Sequence, residues 1–258
     1  MEKDEILFRK RLIELSDHAY HRGTVSFTDF LNLNELNILH TTPKEMFAVP
    51  YRTFGGYALS ERQMAAFLPD AFSLYQEEEE ILSSYPIEAV KIIPLNEKFA
   101  DNLSHRDYLG ALLHLGVDRS KLGDILIQDK EATVFVCKHM AEFLTEELTR
   151  VRHTIVQVKK TDIRDFHYEP KIEEIKGTVA SVRIDALLSL AYSTSRSKLI
   201  PLIEGGRVYV NGKLITGNGY RVKEDDIVSV RGMGRFQYKG VLSETKKGRC
   251  FVSLYKYI

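Results

Sequence analysis

The chain has 258 residues, with 36 Lys+Arg against 36 Asp+Glu, giving zero net charge and an isoelectric point near 7.1. That balance excludes a uniformly basic nucleic-acid binder and a generally acidic disordered chain, and 44% apolar with 28% charged residues is an ordinary globular composition. No stretch approaches the roughly 18 apolar residues of a membrane span. Cys137 and Cys250 are too few for a disulfide framework or a four-thiolate metal site. The opening Met1-Glu2-Lys3-Asp4-Glu5 is charged and lacks the apolar stretch of a secretory signal, so the chain is expected in the cytoplasm.

The neutral total hides two opposite halves. Residues 177–258 carry 14 Lys+Arg against 6 Asp+Glu, which leaves 22 against 30 for residues 1–176. A basic binding module joined to an acidic body is one reading, and two solvated charged surfaces is the other.

Residues 3–22 place Ile6, Leu7, Leu12, Ile13, Leu15 and Ala19 near helical spacing, and Gly23 ends the run. Phe27 to Leu39 reads as short helix and turn, and Pro43, Pro50 and Gly55-Gly56 punctuate the next stretch. Ser60 before Glu61-Arg62-Gln63-Met64-Ala65 predicts a capped helix that stops at Pro69. The acidic run Glu77 to Glu80 reads as a solvated face or linker. Strand-like Ile87–Ile93, helical Asp101–Leu115, strands Asp124–Ile127 and Ala132–Val136, helical Lys138–Val151 and strand Thr154–Val158 come after it. This β-α-β-β-α-β order is that of a ferredoxin-like split βαβ unit, which RNA-recognition domains share with many enzymes. Polar residues 163–177 read as a linker. Next come helices over Ser181–Ala191 and Arg196–Ile203, a hairpin turning at Asn211-Gly212, a strand at Ile227–Val230 and a further one over Phe251–Tyr257.

The fold class is therefore α+β, in three units: a mostly helical N-terminal domain (1–80), a ferredoxin-like, RNA-recognition-like domain (81–165), and, after a linker (166–178), a C-terminal basic domain (179–258). In the last, Ser181-Val182-Arg183-Ile184-Asp185-Ala186-Leu187-Leu188, Ser195-Arg196-Ser197-Lys198 and Ile203-Glu204-Gly205-Gly206-Arg207-Val208-Tyr209-Val210-Asn211-Gly212 follow one another in order. That pattern resembles the S-four RNA-binding domain (also written S4, or the αL motif). With Gly55-Gly56-Tyr57, Glu61-Arg62 and His105-Arg106-Asp107-Tyr108-Leu109-Gly110 upstream, nearly the whole chain is similar to the YlmH-type family of Gram-positive bacteria. The resemblance implies binding of structured RNA (rRNA or tRNA) on the large ribosomal subunit, a role with obstructed ribosomes and an association with cell division.

The residues point the same way. Ser195, Arg196, Ser197 and Lys198 fall where a helix starts, and there free N–H groups and the helix dipole favour phosphate. Arg183 on the preceding helix and Arg207 and Lys213 on the hairpin extend a basic face, and arginine's planar fork suits phosphate. Each has a plainer alternative: Ser195 as a helix cap, Arg183 paired locally with Asp185, and Asn211-Gly212 as a turn. Arg231 to Lys239, with Arg235 and Lys239 as its candidate contacts, suits either base stacking with phosphate tracking or a strand–turn–strand edge.

Catalysis finds little support. His105-Arg106-Asp107 resembles a kinase catalytic loop, but the other kinase motifs do not accompany it, and a helix cap by His105 or Asp107 or an RNA contact by Arg106 are the readings left for it. No phosphate-binding glycine loop is present, and the histidines lack partners at metal-ligand spacing. No catalytic residue, metal site or cofactor is expected. Two alternatives stand beside RNA binding. One is an RNA-modifying enzyme related to pseudouridine synthases, although Arg183-Ile184-Asp185 lies inside the binding module and not in a catalytic domain. The other is a protein-interaction platform in the acidic residues 1–176, anchored by RNA.

Overall fold

A computed structural model describes residues 2–70, 72, 77–166, 168–246 and 248–258. The chain forms two compact units, Met1–Tyr168 and Glu169–Ile258.

In the first unit, helix α1 (Glu2–Arg22) buries Leu12, Ser16 and Ala19 along one stripe, the i, i+4, i+7 spacing of an amphipathic helix. Strand β1 (Ser26–Phe27) leads to α2 (Leu33–Thr41), whose first turn is closed by a capping box between Asn32 and Glu35. Strands β2 (Tyr51–Phe54) and β3 (Met64–Phe67) complete a three-stranded antiparallel sheet in the order β1-β3-β2. The helix expected after Ser60 is therefore a strand. Met64, Ala65, Ala66 and Phe67 are all buried in the central strand, and a short, wholly apolar run has no periodicity to separate helix from strand. The N-terminal segment is thus helical with a small sheet.

After α3 (Glu78–Ser83), strand β4 (Ile87–Pro94), α4 (His105–His114), β5 (Leu122–Gln128), β6 (Glu131–Cys137), α5 (Lys138–Glu147), β7 (Arg150–Val151) and β8 (Thr154–Thr161) give the expected split βαβ unit. Its sheet order is β5-β6-β4-β8-β7. Strand alternation divides β6 between two cores. Val134 and Val136 pack with Tyr108 and Leu112 of α4 and Ala141 and Leu144 of α5. Phe135 and Cys137 face Phe30, Tyr57, Met64 and Leu68 from the N-terminal segment. Residues 1–80 and 81–165, expected as separate domains, share this second core.

The second unit opens with β9 (Ile172–Val179), which takes up residues 172–178 of the segment 166–178 expected as a linker. It is the edge of a sheet ordered β11-β10-β12-β13-β14-β9, and its Lys and Glu residues are the charged decoration that guards an exposed edge, so its sequence reads like a linker. Helices α6 (Ile184–Ala191) and α7 (Arg196–Glu204) precede the hairpin β10 (Val208–Val210) and β11 (Lys213–Ile215), then β12 (Ile227–Val230), β13 (Gly234–Glu244) and β14 (Cys250–Tyr257). Both helices cover one sheet face, with Leu187, Leu188, Leu199 and Ile203 against Val208, Val228, Phe236 and Leu254.

Candidate nucleic-acid interface

The α6–α7 turn is built by local hydrogen bonds. Ser193 takes a left-handed φ of +48°, the Ser189 hydroxyl donates to Thr194 O at 2.7 Å, and Thr194 N–H donates to Ser189 O at 3.2 Å. Ser195 occupies the cap position of α7 with extended backbone, yet no side chain caps the first turn. Its hydroxyl instead lies 3.1 Å from that of Ser197. Of the opening N–H groups of this nine-residue helix, that of Lys198 donates to Ser195 O at 3.1 Å, and those of Arg196 and Ser197 receive no cap from Ser195 and stand beside two hydroxyls and the exposed Arg196 and Lys198.

Asp185 sets the geometry of the cations. It is 4% exposed in the first turn of α6, where the helix dipole favours a carboxylate. Arg183 Nε lies 3.2 Å from its Oδ1 and Arg196 Nη1 lies 3.7 Å from its Oδ2. The Nε–Oδ1 approach lacks a hydrogen bond's alignment and acts as an ion pair, while Arg183 Nη2 donates a long hydrogen bond to Asp185 Oδ2 at 3.5 Å. One buried carboxylate therefore draws together two arginines from different elements, and each keeps nearly half its side chain in solvent.

Arg207 and Lys213, on the hairpin, are exposed and form no ion pair among the described residues. The hairpin turns at Asn211-Gly212 with φ of +48° and +77°, and the Asn211 amide donates to Asp226 at 2.7 Å, so this pair serves the turn. Arg235 and Lys239 lie elsewhere, on the face of β13 opposite its buried Phe236 and Tyr238. Arg235 stands 5.0 Å above the Tyr257 ring. Lys239 stands over Tyr255 and pairs with Asp225, whose hydrogen bond raises the lysine's pKa. These two cations already have partners and are not brought to the α6–α7 cluster.

Arg221 escaped the sequence reading as a contact, and Arg231 entered it only as the start of the segment Arg231 to Lys239. Arg221 forms an isolated β-bridge with Arg183, and Arg231 N–H donates to Arg207 O at 2.9 Å, so each stands beside a cation already in the set. Both are exposed, Arg231 with its guanidinium 5.2 Å from the Tyr209 ring centre. Separation in sequence gave no signal for their placement, because only chain pairing brings them there.

Two of the upstream motif residues, Arg62 and Asp107, are structural. Arg62 Nε donates to Leu122 O at 2.8 Å, and Nη2 donates to Phe30 O and Arg119 O at 3.0 Å each. Burial lowers its pKa, with Glu35, Asp124 and Glu61 opposing. Asp124 accepts from the Tyr57 hydroxyl and from the Glu61 and Arg62 backbone N–H groups. Asp107 accepts from the Ser104 N–H at 2.8 Å and its hydroxyl at 2.7 Å, which lowers the carboxyl's pKa. In the His105-Arg106-Asp107 sequence, that aspartate is a helix cap.

A family model described as the putative RNA-binding domain in YlmH matches residues 83–165, and an S4 domain model matches residues 182–228. The chain is 31% identical over 251 residues, 96% of its length and 93% of the relative's, to the "Ribosome-associated protein quality control protein P2" of Bacillus subtilis. It belongs to the YlmH family. The solved "Cell division protein ylmH from Streptococcus pneumoniae" shares its fold over 64% of this chain and 93% of that one, with a TM-score of 0.51 at 16% identity. The S4 match spans α6, α7 and the hairpin, so Arg183, Arg196, Lys198, Arg207 and Lys213 lie within it, while Arg235 and Lys239 lie beyond it. Among the described residues, no helix is long and apolar enough to cross a membrane.

Proposed function

We propose that the protein binds structured RNA without catalysing a reaction on it, as a ribosome-associated factor that engages rRNA or tRNA on the large subunit when translation is obstructed. The observation that carries this reading is the convergence of Arg183 and Arg196 on buried Asp185, at the uncapped start of α7 and inside the S4 match. Backbone N–H groups, hydroxyls and two half-exposed guanidinium groups suit phosphate. A-form RNA hides its bases in a narrow groove, so such a surface reads shape and backbone. The Bacillus relative's name supports the ribosomal setting, and the Streptococcus protein's name motivates a link to cell division. Asp185, enclosed by two arginines, is suited to hold them in place and not to attack a base.

The test is the full chain carrying Arg196→Ala with Lys198→Ala, titrated against deacylated tRNA and purified large ribosomal subunits. Binding weakens, and the slope of log affinity against log salt flattens by about one to two, as one or two phosphate contacts are lost. An unchanged affinity and slope refute the site.

A further inference from the structure

The first unit carries its own basic cleft. Of about 460 Å³, it lies between α4 and the segment ending in the β7–β8 turn, and its walls include Arg106, Gly110, His114, Glu147, Arg150 and Arg152. Arg106 and Arg150 are exposed and form no ion pair among the described residues. Arg152 takes a left-handed φ of +52° in the turn, and its guanidinium lies 3.4 Å from Asp107, which Ser104 holds in turn. Three guanidinium groups thus meet two carboxylates, Asp107 and Glu147, and Asp107 is already engaged. The cleft is a basic exception in a unit whose residues 1–168 hold 20 Lys+Arg against 27 Asp+Glu.

Gly110 makes a second, independent point. It lies inside α4, is exposed, and has no left-handed φ. A Cβ built there meets nothing within 4 Å. A glycine inside a helix costs about 1 kcal/mol relative to alanine, and nothing in the folded chain requires one here. What it provides is a bare strip of helix backbone on the cleft wall, which admits close approach by another molecule. The opposite surface of the domain is occupied at its centre. RNA-recognition-like sheets stack unpaired bases on aromatic rings of their open face. Here Phe135 on β6 is fully buried, with Tyr57 stacked on it at 5.0 Å and Phe166 edge-on at 5.1 Å.

We propose that the α4/β7–β8 cleft holds the phosphodiester backbone of RNA, as a contact additional to that of the S4 unit, with Gly110 admitting the backbone and Arg106 and Arg150 pairing with phosphates. This rests on the RNA-binding reading of the protein. Gly110 is the discriminating position, since a longer helix-favouring side chain there improves the helix while obstructing the cleft.

The experiment uses the full chain with deacylated tRNA and purified large ribosomal subunits as probes, between 50 and 200 mM KCl. Arg106→Ala with Arg150→Ala reduces the salt slope by about 1.4–1.8, so the affinity lost across that range shrinks roughly seven- to twelvefold relative to the parent. Arg106→Lys with Arg150→Lys keeps the slope. Gly110→Gln melts above the parent yet binds severalfold more weakly. Parental binding by both the alanine pair and Gly110→Gln, with loss in the Arg196→Ala/Lys198→Ala chain, overturns this inference and leaves the S4 reading intact. Parental binding in every variant overturns both. If the alanine pair and Gly110→Gln bind RNA as the parent does but fail to retain an acidic protein partner, the cleft serves protein and the inference also falls.

Discussion

Gly56→Ala tests how the N-terminal segment is seated on the central sheet. Gly56 has φ of +100°, and a Cβ there would stand 2.3 Å from Phe135 Cδ1 and 2.7 Å from Cε1. The Phe135 ring is fully buried, with Tyr57 stacked on it and Phe166 edge-on, so it can yield only by displacing core neighbours. A non-glycine residue in that backbone region costs about 1–3 kcal/mol, and overpacking a filled core costs about 1–3 kcal/mol more. The sum, about 2–6 kcal/mol, is a large part of a typical domain's stability. For a unit of this size even its lower end lowers the melting temperature by roughly 4–8 °C. Calorimetry and urea unfolding of the full chain measure it, with Gly110→Ala as the matched control. That substitution, in an open helix position, stabilises by about 0.5–1 kcal/mol. A Gly56→Ala chain that unfolds with the parent would refute this packing of Tyr57 and Phe135.

Two further outcomes concern the same core. Arg62→Lys keeps the charge but not the planar fork, leaving carbonyls of Phe30, Arg119 and Leu122 short of donors, so urea unfolding shows a loss of about 2–4 kcal/mol; parental stability would mean that the clamp is dispensable. Burial pushes the Cys137 thiol up to about 11. Iodoacetamide at pH 8 therefore modifies it only after unfolding, whereas half-buried Cys250 reacts in the native chain. Because the folded state holds this proton more tightly, its contribution to stability is complete below the unfolded thiol's pKa and is lost as pH rises toward 11. Rapid native alkylation of Cys137 would contradict its burial.

The parts legible in the sequence are those with local causes. The split βαβ order came from periodicity and breakers. The α6–α7 pair and its hairpin came from helix spacing and Asn211-Gly212, whose backbone needs are set by those two residues alone. The basic character of the last third was likewise a matter of counting charges. What needed the folded chain were the long-range pairings. Met64–Phe67 is a strand because β1 and β2 flank it, and Ile172–Val179 is one because β14, some 80 residues later, supplies its partner. The upstream glycines and Arg62 looked like a candidate signature, and tertiary contacts turn them into a clamp. For the site, composition and motif named the cations, but only packing ranked them. Asp185 gathers Arg183 and Arg196, strand pairing adds Arg221 and Arg231, and Asp225 engages Lys239. Charge is a property of a residue, whereas its availability to a phosphate depends on which neighbours the fold places within a few ångströms.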